Sequence, residues 1–109
     1  MSPMQRDVVR FRVLQAIEKN PKASQRELAK ELGVSLGSVN FCLKALVDKG
    51  LVKIENFVKS DHKKGYAYYL TPMGVVEKGE ITAQFLKRKV AEYELLKKEI
   101  KELKSQVQG

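Results

Sequence analysis

Asn40, Phe41 and Lys44 fall three, four and seven residues after Gly37, the offsets that share one face of a helix. Ser35, Leu36, Gly37 and Ser38 stand just ahead of them. An asparagine amide can make a paired hydrogen bond to adenine, and a lysine ammonium can reach phosphate or guanine. Serine hydroxyls can donate to either, and an aromatic ring can contact thymine methyls. This is recognition chemistry rather than bond making. A second cluster, Lys59, His62, Lys63 and Lys64, lies in the polar run KSDHKKG, where its cations could lie over phosphates or enter a minor groove. A third, Ser24, Gln25 and Arg26, opens a helix whose free amides attract an anion.

Catalytic chemistry finds no comparable set. The single histidine and the single cysteine stand twenty residues apart, which makes neither a zinc site nor a nucleophile pair. Cys42 lies beside an apolar stripe and reads as a small core filler, with a redox role as the alternative. No glycine-rich phosphate loop occurs. Glu92, Glu94, Glu99 and Glu102 lie among lysines and look like a solvated face with local ion pairs. The residues therefore specify no catalytic group, no metal and no cofactor, and they name no small-molecule effector.

Charge agrees with the recognition reading. The 109 residues carry 21 Lys plus Arg against 13 Asp plus Glu, a net charge of +8. The excess is concentrated toward the start, with 13 basic and 7 acidic residues up to Val75 and 8 and 6 after it. Such a surface favours polyanions through counterion release. The length holds one small domain plus one extended element. One cysteine excludes a disulfide framework. No long apolar run follows the charges of MSPMQRDVVRFRVL, so neither a signal peptide nor a membrane span is expected, and a cytoplasmic protein fits best.

The elements that must position these residues are legible from periodicity and caps. Val8, Phe11, Val13, Leu14 and Ile17 predict a helix from about Met4 to Lys19, ended by Asn20-Pro21. Ser24 and Glu27 form a capping-box pattern ahead of Leu28, Ala29 and Leu32, and Gly33 closes that helix. Ser35 caps a third helix, Leu36 to Lys49, whose inner stripe is Val39, Leu43, Leu46 and Val47, with Gly50 as its stop. Leu51–Val58 and Tyr66–Leu70 predict an antiparallel hairpin, with Lys59–Gly65 as a mobile turn.

Thr71-Pro72 starts the last helix, with a break or bend expected near Gly79. Leu86, Val90, Tyr93, Leu96, Ile100, Leu103 and Val107 follow at steps of 4, 3, 3, 4, 3 and 4. Their average step is the coiled-coil period, so this seam predicts dimerisation. The spacing alone leaves parallel and antiparallel pairing open. The expected architecture is α+β: a winged helix-turn-helix of three helices plus a two-stranded wing over residues 1–72, then a coiled-coil dimerisation helix over 73–109.

Ser24 to Leu70 resembles the winged-helix domain of MarR-like bacterial transcriptional regulators. With GYAYYLTPMG and FLKRKVAEYELLKKEIKEL, the chain is similar to the short group of EPS-associated MarR-family regulators. The resemblance implies DNA binding by the helix that holds Ser35, Ser38, Asn40, Phe41 and Lys44, assisted by the wing. It also implies control of genes near exopolysaccharide-synthesis clusters. The expectation is a homodimer that binds double-stranded DNA by sequence and regulates transcription. The rivals are a protein-interaction module pairing through the last helix, and a nonspecific nucleic-acid binder driven by charge.

Overall fold

The computed structural model describes residues 3–60 and 63–108. They form a winged helix: α1 (Pro3–Lys19), α2 (Gln25–Leu32), α3 (Leu36–Asp48), β1 (Val52–Ser60), β2 (Lys63–Leu70) and α4 (Pro72–Gln108). The chain divides into two compact units, residues 1–79 and 80–109.

In the first unit the caps work as their residue types dictate. Ser24 Oγ accepts from the Glu27 amide at 3.1 Å while Glu27 Oε1 accepts from the Ser24 amide at 3.3 Å. Gly33, at φ +67°, ends α2, and the Val34 amide reaches back to the Ala29 carbonyl at 3.1 Å. Gly50, at φ +76°, does the same after α3, where the Leu51 amide donates to the Leu46 carbonyl at 2.9 Å. The core between these helices comprises Val13, Leu14 and Ile17 of α1, Leu28 and Leu32 of α2, and Val39, Leu43 and Leu46 of α3. Leu51, Val52, Ala67 and Tyr68 close it from the wing base. The Tyr68 amide donates to the Pro21 carbonyl at 2.9 Å, tying β2 to the α1–α2 connection.

The wing differs from expectation. Its ladder runs from Val52↔Leu70 through Phe57↔Gly65 and Val58↔Lys64 to Ser60↔Lys63, with an irregularity between Val58 and Ser60. Lys59 therefore lies in β1, and Lys63, Lys64 and Gly65 lie in β2, not in a mobile turn. Glycine reads locally as a turn signal, but here the Phe57 ring lies across the partner strand at Gly65. A Cβ there would sit 2.6 Å from Phe57 Cζ. The absent side chain makes room for the ring and lets pairing continue. His62 falls outside the described residues.

The start of α4 is fastened to the same unit. Thr71 Oγ1 accepts from the Gly74 amide at 3.1 Å and donates to the Gly50 carbonyl at 2.6 Å. Gly74 is pressed against the Leu51 carbonyl, leaving no space for a Cβ. Arg10 pairs with Glu77 at 3.7 Å, and Lys78 pairs with Glu18. Of the break or bend expected near Gly79, a break is not present, and α4 is helical through it. One glycine costs a helix only about 1 kcal/mol, too little to interrupt one that is well formed on both sides. From Glu80 onward the second unit is helix alone, with a length of roughly 43 Å to Gln108 at 1.5 Å per residue. Among the described residues, no helix is long and apolar enough to cross a membrane.

Candidate nucleic-acid interface

The outer face of α3 follows from the inner one. Burying Val39, Leu43 and Leu46 turns Leu36, Gly37, Asn40, Phe41 and Lys44 to solvent. Ser35 spends its hydroxyl within the protein: its oxygen accepts from the Ser38 amide at 3.0 Å, and its proton goes to Ser38 Oγ at 2.9 Å. That leaves the Ser38 hydroxyl proton free to be given elsewhere. At Gly37 the nearest atom to an added Cβ is Ser35 Oγ at 4.0 Å, so the helix start offers bare backbone to an approaching surface.

Asn40 is not a free side chain. Its Nδ2 donates to Gln25 Oε1 at 3.2 Å, and Gln25 Nε2 donates to the Tyr68 hydroxyl at 3.1 Å. One chain of hydrogen bonds thus joins α3, the start of α2 and the wing base. It spends one of the two Asn40 N–H protons and leaves Oδ1 and the other N–H of this exposed residue without a partner in that chain. Sequence reasoning singled out Asn40 and Gln25 separately and missed Tyr68, because no local pattern links residues 43 positions apart.

Phe41 is 76% exposed. That exposure excludes packing of the ring against the wing. The ring borders a mainly apolar groove of about 420 Å³ between α1 and α3, floored by Val9, Cys42, Ala45 and Leu46. Arg6, Arg10 and Lys49 also line it. Half-buried in this groove, the Cys42 thiol is pushed up from its ordinary value by burial, against the smaller opposing pull of Arg10 and Lys49. That favours the neutral form, as expected of a packing residue.

A cleft of about 350 Å³ separates the start of α2 from the wing, lined by Ser24 and Gln25 on one side and Phe57 and Lys64 on the other. Lys22 reaches into it with its ammonium 5.0 Å from the Phe57 ring centre. Lys22 and Phe57 escaped the sequence reading; a lone lysine after proline and one strand aromatic carry no distinctive signal. Arg26, Lys44, Lys63 and Lys64 are exposed. None of these four is held in an ion pair among the described residues. The described residues also hold no cluster of His, Cys, Asp and Glu able to bind a metal.

The helix-turn-helix itself has a counterpart among known domains. Residues 6–53 match the family of winged helix-turn-helix DNA-binding domains. No curated protein matches the sequence. Among solved structures, the chain is similar to Staphylococcus aureus MarR in complex with salicylate and kanamycin. The identity is 26% and the TM-score 0.51, over 75% of this chain and 55% of that one. It is similar to Streptococcus pneumoniae FabT in complex with DNA, at 26% identity and a TM-score of 0.54, over 76% and 56%. The protein TA0346 from Thermoplasma acidophilum shares the fold, at 22% identity and a TM-score of 0.68, over 84% and 93%. The chain spans about half the length of the MarR and FabT chains.

Proposed function

We propose that the chain is a homodimeric transcriptional regulator that recognises double-stranded DNA by sequence. The observation that supports this reading is the Asn40–Gln25–Tyr68 chain of hydrogen bonds, which holds the Asn40 amide on the exposed face of α3. In this reading α3 enters a major groove, where Ser38, Asn40 and Phe41 meet base edges. Leu36 and Gly37 bring the helix start close to the duplex. Lys44, Ser24, Gln25 and Arg26 face the sugar-phosphate backbone, with the α2 amides adding their dipole. Lys59, His62, Lys63 and Lys64 of the wing extend the contact to neighbouring phosphates. The DNA complex of FabT, a protein of the same fold, supports a duplex as the partner.

The exposed seam from Leu86 to Val107 supports pairing of two chains, and two heads on a two-fold read a site made of two inverted halves. Such a regulator acts in the cytoplasm. Control of genes beside exopolysaccharide-synthesis clusters rests on the resemblance of LTPMG and FLKRKVAEYELLKKEIKEL to that group, and loss of the protein should change those transcripts.

Selection of bound fragments from a random duplex library at near-physiological salt tests the proposal. Enrichment of a two-fold symmetric motif is expected. Binding without enrichment reduces the surface to an electrostatic one, and no binding transfers the seam to a protein partner.

A further inference from the structure

Resting on the proposed pairing of two chains, we infer that the α4 helices associate parallel and in register. All seven seam residues are at least 43% exposed in the single chain. Written as heptads, the seam places Val90, Ile100 and Val107 at a, and Leu86, Leu96 and Leu103 at d. Tyr93 serves as d of the first heptad and a of the next, the three-residue step of a local overwinding. β-branched residues at a with leucine at d favour two parallel strands.

The flanking charges decide the direction. In a parallel pair each g residue meets the e residue five positions on in the partner. Those pairs are Lys89 with Glu94, Glu92 with Lys97, and Glu99 with Lys104, opposite in sign in every case. Each forms twice across the two-fold. An antiparallel pair matched on the same seam sets Glu92 against Glu99 and Lys104 against Lys87, leaving only Glu94 with Lys97 attractive. In the single chain Lys89 pairs with Glu92 at 3.1 Å and Lys97 lies 5.4 Å from the Tyr93 ring centre. The Lys89–Glu92 pair is exposed, so exchanging it for a partner across the seam costs little.

The test uses the full chain carrying Cys42→Ala and Val107→Cys. Sedimentation of the reduced protein is expected to give the mass of two chains, and mild oxidation to convert it to a disulfide-linked dimer. An antiparallel seam separates the two 107 positions by roughly 32 Å, so a dimer that resists crosslinking overturns the parallel arrangement. A monomer under reducing conditions overturns self-pairing itself. Glu99→Lys adds an independent sign: it should weaken a parallel dimer about tenfold, with Lys104→Glu restoring it. Tighter pairing on Glu99→Lys would mean an antiparallel seam.

Discussion

Asn40 hydrogen-bonds Gln25 through its amide nitrogen at 3.2 Å, so an exposed side chain of α3 is held from the preceding helix. Gln25 is fixed in turn by Tyr68. Gln25→Ala leaves every candidate base contact in place while releasing the Asn40 amide and removing one proposed backbone contact. Discrimination between the best site and its single-base variants should fall by about 1 kcal/mol, the net worth of one such bond, on top of a uniform loss shared by all duplexes. Binding titrations across a set of point-substituted sites measure this, and a uniform loss with discrimination unchanged would remove the positioning role.

Asn40→Ala and Lys64→Ala should separate selection from affinity. The first is expected to cost about 1–3 kcal/mol on the preferred site and to flatten preference at one position. Lys64 is exposed on β2, and its loss should weaken all duplexes alike and reduce the salt slope of binding by about one. If the two substitutions merely scaled all affinities together, the assignment of Asn40 to base reading would be wrong.

Two glycines of α4 should respond with opposite signs to alanine. Gly74 faces the Leu51 carbonyl, whose backbone is held by its own hydrogen bonds, so Gly74→Ala should destabilise the head by about 1–3 kcal/mol. Nothing lies within 4 Å of a Cβ at Gly79, and Gly79→Ala should stabilise the helix by about 1 kcal/mol. Thermal or urea unfolding of the pair checks both signs.

Cys42 should alkylate more slowly than a free thiol at neutral pH, because burial raises its pKa and keeps the thiolate scarce. Its rate should go on climbing at pH values where a free thiol has levelled off. Above the ordinary thiol range the unfolded chain binds fewer protons than the folded one. This group's contribution to stability is therefore complete below that range and is lost as pH rises through the folded value. A rate–pH profile with and without urea tests this, and matching profiles would place the thiol in open solvent.

The residue sequence by itself determined the helices of the head, because their signals are local. Ser24 with Glu27, Ser35, Gly33 and Gly50 mark ends within a few residues of the groups they cap. The helix that carries Leu86 to Val107 was equally legible, since a period needs only one helix to express it. What local patterns could not supply was anything decided by residues distant in sequence. The wing extends to Lys63 because Phe57 crosses the chain at Gly65, turning an apparent turn glycine into a strand residue. The start of α4 belongs with the head because Thr71 and Gly74 close on Gly50 and Leu51. Asn40 acquires a fixed orientation only when folding brings Gln25 and Tyr68 beside it, and no propensity encodes that juxtaposition.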